Sequence, residues 1–245
     1  MRVTRIYHAG QLDSGQEIEL ESQAAIHLIR VLRLHENNHF ILFNGDGNEY
    51  DTIITRIHRN KAWARVNQHK PVTRESNLRI TLGQGISKGE RMDYTIQKAV
   101  ELGVTEIIPI YTERGVSPLN AEREQKRVRH WQGVIASACE QCGRNIIPVI
   151  GKPVKLSDWL PTLANNEALK LTLTPDADNH LESITETPDN ILLLIGSEGG
   201  LSDNEIEFAC AHGFKGIKLG PRVLRTETAA VTAISILQSL WGDLS

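Results

Sequence analysis

Two loops near the carboxyl end of the chain carry residue types that suit a small-molecule site. The first, 196–200, reads Gly-Ser-Glu-Gly-Gly, and the second carries Arg222, Arg225 and Glu227. Glycine permits close approach of the backbone, so backbone N–H and C=O groups of the first loop can contact a ligand directly. The patterns G-x-x-x-x-G-K-[ST] and G-x-G-x-x-G are absent here, which argues against a nucleoside triphosphate or a dinucleotide. A glycine loop alone is equally typical of an ordinary strand-to-helix turn, and the second loop strengthens the case for a site.

Strand-loop-helix units must position both loops. Residues 191–195 are branched and apolar, as in a strand buried on both faces, and Ser202 with Glu205 forms a capping-box pattern at a helix start. A second strand is predicted at 216–219, with a long apolar helix behind Thr226, which is a candidate N-cap. Two such units in succession predict loops side by side at the carboxyl ends of neighbouring strands. Open α/β sheets bind their ligands at this edge.

A β-α-β pattern precedes these units. Its strands are predicted at 78–84 and 105–111, with a helix between them and parallel pairing. Arg114 follows the second strand at its carboxyl end, which makes it a candidate for a substrate-facing or catalytic cation. A salt bridge to Glu113 or Glu122 is the alternative.

The first 70 residues differ from the rest of the chain. Short strand-like runs surround one helical segment, 22–32, and this combination predicts a small β-barrel. A polar segment at 69–77 then separates a domain at 1–70 from a second domain at 75–245. Some arginines of the first domain could contact phosphate or could simply form a solvated face. They are Arg2, Arg5, Arg30 and Arg33.

Composition excludes several classes of protein. The 245 residues carry a net charge of −3, so any nucleic-acid binding must come from local patches. No apolar stretch approaches the roughly 18 residues of a membrane span, and the start lacks a signal-peptide core, so a cytoplasmic protein without membrane contact is expected. Three cysteines do not make a disulfide framework. Cys139 and Cys142 lie near a predicted helix C-terminus, which disfavours redox chemistry, and no metal site is expected.

The stretches IGSEGGLS and LGPRVLRTETA together resemble the SPOUT-type methyltransferases, and most closely the 16S ribosomal RNA uridine-N3 methyltransferases. The stretches KGERMDYTIQKAVELGV and ACEQCGRN are also similar to the matching family segments, and the resemblance runs from Arg2 to Leu244. The usual family loop reads I-G-P-E-G-G, so Ser197 stands where the family has proline. This difference removes no group that is expected to contact the cofactor.

The resemblance implies an α/β protein with a small PUA-like RNA-binding β-barrel at 1–70. It implies a SPOUT α/β domain with a deep trefoil knot at 75–245. S-adenosylmethionine is the implied cofactor, 16S ribosomal RNA of the small ribosomal subunit is the implied substrate, and the implied assembly is a homodimer. The implied cofactor-binding residues are Leu171, Leu173, Thr174, Ile195, Gly196, Glu198, Gly199, Gly200, Leu219, Gly220, Val223, Leu224, Arg225, Thr226 and Thr228. Lys88 and Arg144 join the arginines named above as RNA-binding candidates.

The implied reaction indicates roles for charged residues. Methylation of uridine at N3 needs an unpaired base, and loss of the N3 proton spreads negative charge to O2 and O4. A fixed cation, Arg225 or Arg114, would stabilise that charge. Glu198 or Glu227 could accept the proton if burial raises the carboxyl pKa, although Glu227 suits a role at the start of the last helix better.

Other interpretations remain open at the level of sequence. One is an RNA-binding module with an inactive SPOUT domain, and another is methylation of a different RNA. A third is an enzyme that uses another adenine cofactor in the same crevice. Because both loops are intact apart from Ser197, the sequence favours an active methyltransferase.

Overall fold

A computed structural model of the protein describes residues 3–179, 181, 184 and 187–244. The chain forms two compact units. The first unit comprises Met1–Glu75 and Ala136–Ile147, and the second comprises Ser76–Ile135 and Pro148–Ser245.

The first unit is a five-stranded sheet with a hydrophobic core. Its strands are β1 (Arg5–Tyr7), β2 (Glu17–Glu19), β3 (His39–Phe43), β4 (Asn48–His58) and β5 (Lys61–Pro71). Their order is β1-β3-β4-β5-β2, in which β1 pairs parallel with β3 and the other pairs are antiparallel. Helix α1 (Ser22–Ile26) continues into a π-helical turn, His27–Val31, and this segment buries Ala25 and Leu28 in the core. The predicted β-rich part with one helical segment is confirmed.

The second unit is a parallel sheet with helices between its strands. Its strands are β6 (Arg79–Gly85), β7 (Glu106–Tyr111), β8 (Val149–Ile150), β9 (Val154–Lys155), β10 (Leu169–Leu173), β11 (Asn190–Ile195) and β12 (Lys215–Ile217). Its helices are α2 (Arg91–Glu101), α3 (Ala121–Cys142), α4 (Leu156–Trp159) with a 3-10 turn at Leu160–Leu163, α5 (Asp203–Ala211) and α6 (Thr226–Trp241). The last turns of α3 belong to the first unit.

The sheet of the second unit has the order β12-β10-β11-β6-β7-β8, with β9 also paired to β7, and its strand pairs are parallel. Parallel sheets are covered on both faces, which is why β11 is apolar throughout and is buried after Asn190. Leu192 and Leu194 pack in one cluster with Trp159 of α4 and Ala209 of α5, so both helices contribute to one core. Helices α2 and α6 pack against each other.

The structure corrects one expectation about the last strands. Strand β10 lies between β11 and β12, so the strands behind the two loops are not neighbours. In the register of the sheet, Leu171 and Thr172 of β10 pair with β11 on one side and with β12 on the other. The apolar helix α6 buries Ala230, Ala233, Ile234 and Leu237, whereas Leu240 is 49% exposed.

The fold confirms the predicted combination of a β-rich N-terminal part and a parallel α/β part. The trefoil knot stays a prediction. Over the described ranges of the chain, no helix is long and apolar enough to cross a membrane.

Candidate active site

A cavity of about 520 Å³ lies where β10, β11 and β12 end. This edge of a parallel sheet is the usual ligand site in open α/β folds. Four segments and the start of two helices line it. The lining residues are Arg114, Leu173, Thr174, Pro175, Asp176, Ile195, Gly196, Ser197, Glu198, Gly199, Gly200, Leu201, Asp203, Ile206, Ile217, Lys218, Leu219, Gly220, Pro221, Arg222, Val223, Leu224, Thr226 and Ala229.

The glycine loop after β11 forms a tight turn. Ser197 and Gly200 form an isolated bridge, and the Gly200 N–H donates to the Ser197 carbonyl at 2.9 Å. Gly200 has φ +69°, a conformation that side chains rarely adopt. A Cβ at Gly196 would lie 2.6 Å from the Gly200 carbonyl carbon, so the turn closes only with glycine at that position. The backbone of this turn therefore forms one wall of the cavity.

Thr226 fastens this loop to the sheet. Its hydroxyl donates to the Gly196 carbonyl at 2.6 Å and accepts from the Gln84 side-chain amide at 2.9 Å. The expected N-cap role of Thr226 is therefore wrong. Arg225 occupies the N-cap position without a side-chain cap, and Thr226 is the first helical residue. Its hydroxyl bonds to the loop because Thr226 and Gln84 are both buried beside it.

The predicted capping box at α5 is confirmed. The Ser202 hydroxyl accepts from the Glu205 N–H at 3.2 Å, and the Glu205 carboxylate accepts from the Ser202 N–H at 2.8 Å. The other oxygen of Glu205 accepts from the Glu113 N–H at 2.9 Å. The box therefore joins the glycine loop to the loop after β7.

Arg114 reaches the cavity from that second loop. Its guanidinium donates to the Leu201 carbonyl at 3.2 Å. In the described part of the chain it forms no ion pair with Glu113 or Glu122, so its charge is not neutralised by either carboxylate. A Cβ on Gly199 would lie 2.7 Å from the Arg114 Cβ and 2.8 Å from its carbonyl oxygen. Gly199 is therefore needed for the close approach of the two loops.

Glu198 is held by cations and backbone donors. Its carboxylate accepts from the Lys88 N–H and from the Arg91 guanidinium, each at 2.9 Å. Burial alone would raise the pKa of this carboxyl, but these hydrogen bonds and one from its own backbone N–H lower the pKa overall. The condition on which Glu198 could accept the proton, a raised pKa, is therefore not met. A carboxylate with a lowered pKa is a weak proton acceptor.

Glu227 has a different environment. One of its oxygens lies 4.0 Å from Arg91 Nε, whereas the other is buried without a hydrogen-bond partner among the described residues. An ionised carboxylate normally has its oxygens hydrogen-bonded. Arg91 thus stands between the carboxylates of Glu198 and Glu227.

Most of the predicted cofactor-binding residues line the cavity. Leu171, Arg225 and Thr228 are the exceptions. Leu171 is 1% exposed and faces the core of the sheet, while Arg225 and Thr228 are exposed. Arg225 therefore does not line the cavity, and Arg114 and Glu198 do.

Several lining residues escaped the sequence analysis. They are Pro175, Asp176, Leu201, Asp203, Ile206, Ile217, Lys218 and Ala229, whereas Ser197, Pro221 and Arg222 belong to the two loops that the sequence indicated. A periodic signal was present for two of them. Ile206 and Ala229 lie three residues after Asp203 and Thr226 at the helix starts, and residues so spaced share a helix face.

Two of the predicted RNA-binding arginines are buried in ion pairs. Arg5 has a side chain 6% exposed, and its guanidinium bonds to Glu49 and to the Asn145 side chain. Burial is the largest influence on Arg5 and lowers its pKa, against the attraction of Glu49. Arg144 has a side chain 4% exposed and is paired with Glu75. Because both side chains are buried in ion pairs within the first unit, they have no free surface for RNA, and both expectations are corrected.

The remaining RNA-binding candidates lie on the surface or outside the description. Arg30, Arg33 and Lys88 are exposed, and Arg30 donates to the Asn60 side chain at 2.8 Å. Arg2 lies outside the described residues. No group of three His, Cys, Asp or Glu residues in the described ranges could hold a metal ion. The Cys142 hydrogen bond and burial raise the pKa of the Cys139 thiol, as for an unreactive packing residue.

Comparison with known proteins agrees with this geometry. The family model of the RNA methyltransferase domain matches residues 74–238, and that of the RNA methyltransferase PUA domain matches residues 20–67. The ribosomal RNA small subunit methyltransferase E of Buchnera aphidicola subsp. Schizaphis graminum is 38% identical over 244 residues, which cover 100% of this chain and 99% of the relative.

Two solved structures are similar along their whole length. A methyltransferase from Legionella pneumophila in complex with the cofactor SAM superposes with a TM-score of 0.94 and 43% identity. A ribosomal RNA small subunit methyltransferase E from Neisseria gonorrhoeae bound to S-adenosyl methionine gives a TM-score of 0.91 and 36% identity. Each comparison covers 100% of both chains. With both domains matched and this identity over the full length, the chain belongs to the ribosomal RNA small subunit methyltransferase E family of RNA methyltransferases.

Proposed function

We propose that this protein transfers a methyl group from S-adenosylmethionine to N3 of a uridine in 16S ribosomal RNA of the small ribosomal subunit. The observation that carries the proposal is the cavity at the ends of β10, β11 and β12, with its backbone-lined wall. Full-length relatives are ribosomal RNA methyltransferases or were solved with this cofactor.

The residues of the cavity fit S-adenosylmethionine. A volume of about 520 Å³ lies within the range of cofactor pockets. Leu173 and Ile217 provide apolar surface for a base, and Asp176 and Asp203 provide carboxylates for a cationic ligand. When bound, the cofactor supplies an electrophilic methyl group on a positively charged sulfur, so no metal is required.

Arg114 is the better candidate for the cation that stabilises the uridine. Its guanidinium lies in the cavity wall and donates to a backbone carbonyl, so it keeps donors for a second oxygen. As the N3 proton leaves, this cation would stabilise the negative charge on O2 or O4. Arg225 is exposed and does not line the cavity, so its expected role passes to Arg114.

Glu227 is the better candidate for the proton acceptor. One of its oxygens has no hydrogen-bond partner among the described residues, whereas hydrogen bonds from the Lys88 N–H and Arg91 lower the pKa of Glu198 and make it a weak proton acceptor. Glu227 does not itself line the cavity, but it directly follows Thr226, which does. We assign Glu198 to orienting Arg91, so that it acts as a positioning residue.

The two predicted domains would have different binding functions. Residues 1–70 would hold RNA, with Arg30 and Arg33 on the surface, and residues 75–245 would hold the cofactor. The protein would work in the cytoplasm as a homodimer, in which α6, with Leu240 49% exposed, supplies part of the interface. Sedimentation at micromolar concentration tests the dimer, since a species of 27.3 kDa would be the monomer.

The function is tested by mapping methylated nucleotides in ribosomal RNA from cells with and without the protein. Purified protein and S-adenosylmethionine should restore the missing methyl group on RNA from the deficient cells. Ala229→Phe should fill the cavity and weaken cofactor binding by at least about tenfold. Ala211→Phe, at an exposed alanine of α5, is the control and should bind normally. An identical methylation map in the two cell types would refute the function.

A further inference from the structure

A second cavity of about 520 Å³ lies in the same unit, outside the proposed cofactor site. The loop after β7, the start of α4 and one face of α5 line it. The lining residues are Tyr111, Thr112, Glu113, Gly115, Val116, Ser117, Pro118, Lys155, Leu156, Ser157, Asn204, Glu205 and Phe208. The steps assigned to Arg114 and Glu227 use none of these side chains.

The two cavities share a wall. Residues 112–115 line both, with Arg114 in the proposed reaction site and Thr112, Glu113 and Gly115 in the second cavity. The Thr112 hydroxyl donates to the Ser197 hydroxyl of the glycine loop at 3.3 Å. A ligand of the second cavity would therefore lie next to a base that occupies the reaction site.

The second cavity is built before any ligand enters. The Tyr111 hydroxyl accepts from the Leu119 N–H at 3.4 Å and donates to Glu124 at 3.1 Å, which fixes both ends of the loop. Glu205 fixes its middle through the Glu113 N–H. Because the loop is already ordered, binding of a ligand costs little conformational entropy, and such a preformed cavity suits a specific ligand.

The lining of the second cavity suits a flat and uncharged group. Phe208 is 36% exposed, and its ring packs against that of His212 with centroids 4.4 Å apart and planes inclined by 58°, so the cavity lining includes a partly exposed aromatic ring held by a neighbour. Val116, Pro118 and Leu156 add apolar surface. This combination matches the aromatic stacking surfaces on which proteins hold unpaired bases of RNA.

The charges disfavour a phosphate group inside the cavity. Glu113 and Glu205 bring carboxylates, and Lys155 is the cation of the lining. Both Glu205 oxygens already accept backbone N–H groups, which leaves Glu113 and Asn204 to meet the edge of a base. Exposed Lys155 could contact a phosphate at the rim.

We propose that this cavity binds the unpaired base of a nucleotide adjacent to the methylated one, with Phe208 as the stacking surface. The inference rests on the proposed RNA methylation. It explains how a base in a polynucleotide is held still next to the methyl donor, since anchoring its neighbour fixes the chain on one side.

The test combines a protein variant with a modified RNA. The RNA is a ribosomal RNA fragment that contains the mapped methylation site, either intact or with an abasic nucleotide immediately 5′ or 3′ of it. Phe208→Ala should weaken binding of the intact RNA by about tenfold, in the range of one base–aromatic stack. One of the abasic RNAs should bind the parent protein with a similar loss. Phe208→Ala should cause no further loss with that RNA.

Matched variants separate stacking from a general loss of structure. Phe208→Tyr keeps an aromatic face and should bind intact RNA like the parent. Val149→Ala removes an exposed apolar side chain outside both cavities and should also leave binding unchanged. Affinity for S-adenosylmethionine should be the same for all variants, since Phe208 does not line the cofactor cavity.

Each other outcome overturns the assignment. If Phe208→Ala weakens intact and abasic RNAs equally, the cavity does not hold a flanking base. A weaker affinity for S-adenosylmethionine would make the cavity part of the cofactor site, and unchanged RNA binding would show that it is an empty hollow or a site for a protein segment. If the parent protein methylates no ribosomal RNA, the proposed function itself is refuted. If the parent methylates ribosomal RNA but Phe208→Ala binds the intact RNA as tightly as the parent, only the base site is refuted.

Discussion

Single residues around the cavity differ in how their polar groups are satisfied, and these differences indicate function. The Thr226 hydroxyl both donates and accepts within the protein, and the Ser202 hydroxyl accepts from the Glu205 N–H, as expected of residues that shape a site. Arg114 has one hydrogen bond to a carbonyl, and Glu227 has an oxygen without a partner among the described residues. Arg114 lines the cavity, so its spare donors are available to a ligand, and Glu227 directly follows the lining residue Thr226.

The first prediction distinguishes the two candidate cations. Arg114→Ala should slow methyl transfer about a hundredfold, because removing one charge-stabilising contact costs about 3 kcal/mol in the transition state. Arg225→Ala is the matched comparison and should react within about threefold of the parent, since Arg225 does not line the cavity. Single-turnover methylation at saturating RNA and cofactor measures both rates. The reverse order would return the catalytic role to Arg225.

The second prediction concerns the hydroxyl of Thr226. Thr226→Val keeps the shape of the side chain but leaves the buried Gly196 carbonyl without this donor, at a cost of about 1–3 kcal/mol in the free energy of unfolding. Because the glycine loop loses its hydrogen bond to Thr226, affinity for S-adenosylmethionine should also fall. Thr228→Val, two residues later on an exposed position, should change neither quantity. Urea unfolding and calorimetry provide the measurements, and equal effects of the two variants would contradict the assigned role.

At the scale of elements, local patterns were predictable and long-range pairings were not. The capping box of α5 and the glycine turn depend on residues close in sequence, so their residue types reveal them. The position of β10 between β11 and β12 depends on pairing between distant segments, which no local pattern encodes. This difference explains why the loops were found although their strands were expected to be neighbours.

Ion pairs between distant segments could not be predicted from local sequence either. Arg5 and Asn145 are 140 residues apart in sequence, yet their side chains lie 2.6 Å apart. An arginine in a β-rich, RNA-binding type of domain looks like a phosphate contact until its partner is known. Glu49 is that partner, and it also accepts from Arg74 at 2.8 Å. The pairing, which sequence could not show, turns an expected binding residue into a structural one.

The third prediction follows from the Glu49 ion pairs. Burial would raise the pKa of Glu49, but the Arg74 hydrogen bond and the attraction of Arg5 lower it overall from 4.5. A carboxylate with a lowered pKa contributes stability above its unfolded pKa and loses it as the pH falls through the folded value. Amide protection of β4 and β5 should therefore decline as the pH drops below about 4.5, and hydrogen exchange measures it.

Glu49→Gln provides the comparison. This variant should show lower protection of β4 and β5 at neutral pH and a flatter decline in acid, because its side chain does not titrate. Glu17→Gln, at an exposed carboxylate of β2, should follow the parent. A decline in Glu49→Gln as steep as that of the parent would mean that other groups cause the acid sensitivity.

For the whole molecule, the division of the chain differs from a simple cut between two domains. Ala136–Ile147 belongs to the first unit, where Arg5 bonds to Asn145 and the Tyr7 N–H bonds to Glu140. A truncated chain that begins at residue 75 would lose these partners. The roles of the two parts in RNA and cofactor binding should therefore be tested with point variants of the full chain.

The last prediction uses point variants of the full chain to test RNA binding. With a net charge of −3, affinity for ribosomal RNA must come from a few local phosphate contacts. Arg30→Ala and Arg33→Ala should each weaken binding and should each reduce the slope of log affinity against log salt concentration by about 0.7–0.9, the contribution of one phosphate contact. S-adenosylmethionine affinity should not change. Arg79→Ala is the control, because this exposed arginine begins β6 at the sheet edge opposite the cavity. An unchanged salt slope in both variants would place the phosphate contacts elsewhere, and an equal change in Arg79→Ala would show that any exposed arginine contributes through net charge alone.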